Sequence, residues 1–120
     1  MNLNMDNIMK ASFGEASDTL RATFKKTVLI KQYETEVIEL ETTIKIDEKL
    51  TGAERMFITA MMQVQLEYTA YIQLAMKGLI TQTELNNRRL QLEESLQALK
   101  TKAESVLNKS MDKWLEMPTN

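Results

Sequence analysis

Residues 34–47 read Glu34-Thr35-Glu36-Val37-Ile38-Glu39-Leu40-Glu41-Thr42-Thr43-Ile44-Lys45-Ile46-Asp47, and the period assigned to this stretch decides the fold. Two periods fit it. Counted by two, Ile38, Leu40, Thr42, Ile44 and Ile46 alternate with Glu39, Glu41, Thr43, Lys45 and Asp47, the pattern of a half-buried strand, and the β-branched residues favour that state. Counted by three and four, Ile30, Tyr33, Val37, Leu40 and Ile44 form a stripe that Leu20 and Phe24 extend backwards, as on an amphipathic helix. The surroundings break the tie. From Glu15 to Thr51 there is no Gly, Pro or Asn, so the usual hairpin-turn residues are missing and a lone strand has no evident partner. The expectation is a long helix over 12–49, opened by the capping-box spacing Ser12-Phe13-Gly14-Glu15, with a strand as the alternative for 36–47.

Downstream the signals are local. Thr51-Gly52-Ala53-Glu54 has capping-box spacing, and Gly78 followed by Leu79 suits a Schellman stop in which Leu79 folds back on Leu74. Between them Phe57, Met61, Val64, Tyr68, Tyr71 and Ala75 form one stripe, with Ile58, Met62, Thr69, Ile72 and Met76 beside it. A helix over 52–77 therefore has two partners to satisfy. Thr81-Gln82-Thr83-Glu84 is a further capping box, stapled by Ile80 and Leu85. It opens a helix over 82–115 whose apolar face runs through Leu85, Leu92, Leu96, Leu99, Ala103 and Val106, then drifts to Leu107, Met111 and Trp114. Pro118 disfavours continuation. Three long helices on short connections imply an all-α fold, an antiparallel, coiled-coil-like three-helix bundle over 12–115. Residues 1–11 form a flexible N-terminal tail and 116–120 a C-terminal one.

The 120 residues suit one domain, and with 43% hydrophobic and 27% charged residues the composition is that of a globular protein rather than a disordered one. The net charge of −2 gives no global attraction to phosphate. No run approaches the roughly 18 apolar residues of a membrane span, and Met1 to Asp6 lack the basic start and apolar run of a secretory signal, so a cytoplasmic, membrane-free protein is expected. With no histidine and no cysteine, imidazole bases, Ser-His pairs, thiolates and the Glu-x-x-His motif of di-iron bundles are all excluded.

Three clusters remain. Glu34, Glu36, Glu39 and Glu41, with Asp47 and Glu48, form an acidic run that a hard cation could use if a loop converged them, but on a helix they spread around a solvated face, and no metal is expected. Arg21, Lys25, Lys26 and Lys31 form a basic run that could contact phosphates and supports the alternative of a nucleic-acid-associated regulator. Met56, Met61, Met62 and Met76 are flexible gap-fillers or the lining of an adaptable groove. Leu29, Ile38, Ile46, Met62 and Leu66 are apolar beyond what one seam per helix needs, a candidate surface for another protein or a second copy.

Gly78-Leu79-Ile80-Thr81-Gln82-Thr83-Glu84-Leu85, with Arg88, Arg89, Leu90 and Leu92 after it, resembles the Gly-x-Ile-Thr-x-x-Glu core of the bacterial short C-terminal (SHOCT) domain family. The resemblance implies a small helical appendage of bacterial or phage proteins that aids oligomerisation or partner contact. This chain differs in placing the motif before a long helix and in having Thr83 where an acid is common. The function expected from the whole is non-catalytic: an adaptor, inhibitor or self-assembling subunit with no cofactor.

Overall fold

The structure, a computed structural model, describes residues 19–46 and 48–118. The capping-box spacing at Ser12 and the expected tail over 1–11 lie outside the described residues. Where the first long helix was expected, the chain instead forms an antiparallel hairpin, β1 (Thr19–Lys31) and β2 (Glu34–Lys45). The all-α three-helix bundle is therefore corrected to a two-stranded sheet packed against α1 (Gly52–Met76), with α2 (Gln82–Leu107) packed on α1 in turn, followed by a short 3-10 turn at Asp112–Trp114.

The hairpin exists because both missing ingredients are supplied by unexpected residues. The turn needs a left-handed residue, and Tyr33 takes that role at φ 68° without being Gly or Asn. The pairing register is constant from Thr19↔Lys45 to Leu29↔Thr35 and then shifts between Leu29 and Lys31, the bulged closure that hairpin loops with a left-handed residue commonly make. Left-handed backbone costs a non-glycine residue roughly 1–2 kcal/mol. Fully burying Leu20 and Ile38, which are 3% and 4% exposed, returns roughly 1.5–3 kcal/mol each, so packing outweighs the strained turn. The partner strand is the preceding segment, in which Leu20, Ala22, Phe24 and Val28 alternate with Arg21, Thr23, Lys25 and Thr27.

The strand period re-sorts the side chains. In the helical stripe Ile30, Tyr33 and Val37 share a buried face with Leu40 and Ile44. In the hairpin all three are exposed, and Ile38 turns inward beside α1. The even-numbered residues Leu20, Phe24, Ile38, Leu40 and Ile44 line the inner face.

Helix α1 does have two partners, the hairpin and α2. It buries Ile58, Met61, Met62, Leu66, Tyr68, Ala70, Ile72 and Leu74, which is most of its circumference. Thr51 and Glu54 form the capping box, Thr51 Oγ1 accepting from the Glu54 amide at 3.2 Å and Glu54 Oε1 from the Thr51 amide at 3.2 Å. At the far end the Leu79 amide donates to the Leu74 carbonyl at 2.9 Å and the Gly78 amide to the Ala75 carbonyl at 3.0 Å, with Gly78 at φ 75°. That is the Schellman pattern. Thr81 and Glu84 cap α2 in the same reciprocal manner.

Helix α2 buries a narrow stripe, Leu85, Leu92, Leu96 and Ala103, and leaves Val106 exposed. It ends at Leu107 rather than near 115, because Asn108 adopts the left-handed conformation at φ 55° and its amide closes on the Glu104 carbonyl at 2.9 Å. The chain then turns back: Met111 is fully buried, Trp114, Leu115 and Met117 pack on the core, and Gln65 Nε2 donates to the Trp114 carbonyl at 2.7 Å. Residues 111–117 are a strap across the helices.

Candidate interaction surface of the hairpin

A two-stranded sheet has one face for the helices, one face left over and two edges. The outer face carries the odd-numbered residues: Arg21, Thr23, Lys25, Thr27 and Leu29 from β1, and Thr35, Val37, Glu39, Glu41 and Thr43 from β2. Towards the base it is charged, with Lys25 directly across from Glu39 and Arg21 Nη2 2.7 Å from Glu41 Oε2. Towards the tip the hairpin as a whole becomes apolar. Leu29 is 68% exposed, Val37 50%, Ile30 43% and Tyr33 92%, a concentration of exposed apolar side chains on one end of the molecule.

Of the residues expected to form an interaction surface, only Leu29 is on it. Ile38, Ile46, Met62 and Leu66 are buried and belong to the core, because the hairpin consumes the apolar surplus that a helix would have left outside. The tip residues Ile30, Tyr33 and Val37 are missed by a helical reading because its stripe places them inside. The signal that reveals them is the alternation itself, since Ile38 and Val37 cannot face the same way in a strand. Among the four methionines, Met61 and Met62 are core, and Met56 and Met76 are exposed.

The basic residues do not converge. Arg21 and Lys25 lie on the outer face, and Lys26 is on the inner one with its ammonium 5.4 Å from the centroid of the Tyr71 ring. Lys31 Nζ lies 3.5 Å from Glu34 Oε1. Arg21 and Lys31 thus contact carboxylates, Lys25 faces one across the strands, and Lys26 stacks on an aromatic ring. The acids are dispersed the same way, Glu36 reaching Lys77 at the end of α1. Among the described residues no three of His, Cys, Asp and Glu are grouped to hold a metal ion.

The ionisable groups elsewhere tie elements together. Glu54, 8% exposed, accepts from Lys109 Nζ at 2.7 Å, and this bond, with those from Thr51, holds its carboxyl below the usual carboxylate range. Arg88 donates from Nε to Glu67 Oε2 at 3.0 Å, which raises its already high pKa, and its guanidinium lies 5.3 Å from the Tyr71 ring centroid. Both shifts move away from neutral pH, the opposite of what a general acid or base needs. Arg55, 3% exposed, donates to the Thr19 carbonyl at 2.8 Å and pins the start of β1 to the first turn of α1.

A cleft of about 210 Å³ lies between β2 and α1, bounded by Ile44, Met62, Leu66 and Pro118. Two of its polar groups are engaged, Gln65 with the Trp114 carbonyl and Thr69 Oγ1 with the Gln65 carbonyl at 3.2 Å. Among the described residues no helix is long and apolar enough to cross a membrane. The chain matches no protein-family model, no curated protein and no solved structure.

Proposed function

We propose that this chain is a non-catalytic assembly module that works by presenting its β-hairpin to another protein chain in the cytoplasm. The observation that carries this reading is the tip of the hairpin, where Leu29, Ile30, Tyr33 and Val37 are exposed together beyond the part of the ribbon that packs on α1. A solvated strand pair of this length has no internal need for four exposed apolar residues, whereas strand-presenting recognition does. The absence of histidine and cysteine from the sequence, and carboxylates committed to ion pairs, favour binding over chemistry. The local resemblance of residues 78–92 to SHOCT domains fits an assembly role in a bacterial or phage protein.

The rival reading, phosphate contact through Arg21, Lys25, Lys26 and Lys31, draws no support from their placement on two faces beside acids and an aromatic ring. Light scattering combined with DNA and RNA titrations at low and high salt separates the two. The assembly reading expects association that survives salt and no nucleic-acid binding. A monomer that binds nucleic acid with an affinity falling steeply with salt, and loses it on Lys25→Glu with Lys26→Glu, overturns it.

A further inference from the structure

The two edges of the hairpin are oppositely charged. β1 carries Arg21, Lys25, Lys26 and Lys31 with no acid, whereas β2 carries Glu34, Glu36, Glu39 and Glu41 with Lys45 as its sole base. Both strands are long, 13 and 12 residues, and neither contains the Pro or Gly that would spoil an edge. Among the described residues the sheet stops at two strands, and backbone hydrogen bonds from 20–45 stay within its ladder.

We infer that β1 of one copy pairs antiparallel with the outer edge of β2 of a second copy, continuing the sheet head to tail. This rests on the assembly reading above and names its partner as the chain itself. The argument is charge complementarity. Pairing β1 with β1 sets four cations against four cations, and pairing β2 with β2 sets four carboxylates against four; like charges opposite one another destabilise a sheet. Pairing β1 with β2 in the register used within the chain repeats Lys25 opposite Glu39 and Arg21 opposite Thr43, diagonal to Glu41. Glu39 then lies between two lysines, one from each copy. The face that would run on unbroken is the threonine-rich outer one, and Leu29 and Val37 of neighbouring copies come within reach of each other along it. Such a contact uses two different surfaces, so each added copy leaves a β1 edge and a β2 edge available, and growth continues until the ends meet.

The test is a charge swap read by sedimentation velocity. Wild-type protein is expected to gain mass with concentration. Lys25→Glu alone and Glu39→Lys alone each set like charges across the new contact, and each should need a several-fold higher concentration to associate. Within one chain the Lys25 and Glu39 pair is exposed and contributes little, so both variants keep the wild-type circular dichroism spectrum. An equimolar mixture of the two should associate as wild type does. In alternating order, the new carboxylate at position 25 of one variant meets the new ammonium at position 39 of the other, and the next contact is the native Lys25 with Glu39. The double variant Lys25→Glu with Glu39→Lys should associate alone. Wild-type protein that stays monomeric up to about millimolar overturns the inference. So does a mixture no better than its components, or Lys25→Glu association stronger than wild type, which signals β1 with β1. In these last two cases the assembly reading stands and only its geometry falls.

Discussion

Lys109 Nζ lies 2.7 Å from Glu54 Oε2, joining the loop after α2 to the first turn of α1. Glu54 is also the acid of the α1 capping box, so one carboxylate both closes a helix end and holds the returning chain. Its folded pKa is depressed below the ordinary 4.5, chiefly by the Lys109 hydrogen bond. A depressed carboxylate contributes stability that is complete above its unfolded pKa and is lost as pH falls through the folded one. Lys109, raised by the same bond, keeps its contribution at neutral pH and loses it only as pH climbs past 10.5. Glu54→Gln should therefore cost about 1 kcal/mol at pH 7, the order of a lost cap, and flatten the acid limb of stability below pH 4.5. Urea denaturation at stepped pH measures both; parallel curves for wild type and variant would contradict the linkage.

Neighbouring residues on β2 should respond oppositely to substitution. Ile38→Ala removes a buried side chain facing Ala70 and Leu74 and is expected to cost about 2–4 kcal/mol. Val37→Thr, on the outer face, should stay within about 0.5 kcal/mol. A helix over these residues would have made Val37 the costlier position, so denaturation of the two variants tests the strand directly.

Two left-handed positions should give opposite signs. Tyr33 is exposed at φ 68°, so Tyr33→Gly relieves strain without losing packing and should stabilise by about 0.5–1 kcal/mol. Gly78 at φ 75° has open space where a Cβ would stand, which isolates the backbone effect, and Gly78→Ala should cost about 1 kcal/mol. Thermal unfolding of the pair is the check, and equal signs would refute the turn geometry at one of them.

At the hairpin tip, Leu29→Ser with Val37→Thr should weaken self-association while leaving the unfolding midpoint nearly unchanged, because both side chains are exposed in the monomer. Sedimentation and melting on the same samples separate the effects; a large drop in melting temperature would return these residues to the core.

What could be read from the sequence was chemistry acting over a few residues. The Thr51 and Thr81 capping boxes and the Gly78 stop involve partners three to five positions apart, so their residue types are diagnostic by themselves. The hairpin depended on partners up to 26 positions apart, as Thr19 and Lys45 are. Its turn used Tyr33, a residue tertiary packing forces into a conformation its own preference avoids. The alternation over 38–46 was visible, but the matching one in β1 was interrupted at Lys26, whose inward position is tolerated because its ammonium finds Tyr71. The end of α2 is hidden for the converse reason: Val106, Leu107 and Met111 continue a helical stripe, and the single Asn108 overrides it. A helical period inverts the interaction surface along with the hairpin, because it exchanges the outward-facing Val37 and Tyr33 for Ile38 and Ile46.

The order of elements along the chain carries a hazard during synthesis. The hairpin is complete at Lys45, before any of α1 has been made, and its inner face of Leu20, Phe24, Ile38, Leu40 and Ile44 is covered only when Ile58 to Leu74 emerge. On the ribosome it is a bare amphipathic ribbon, and isolated two-stranded ribbons are marginal in water. Nascent chains translated side by side would therefore offer one another sticky strands at the moment of highest local concentration, so quaternary pairing and misassembly compete in the same few seconds. Synonymous changes that delay the emergence of Ile58 to Leu74 after the hairpin is out would lengthen that interval and tilt the outcome towards aggregates.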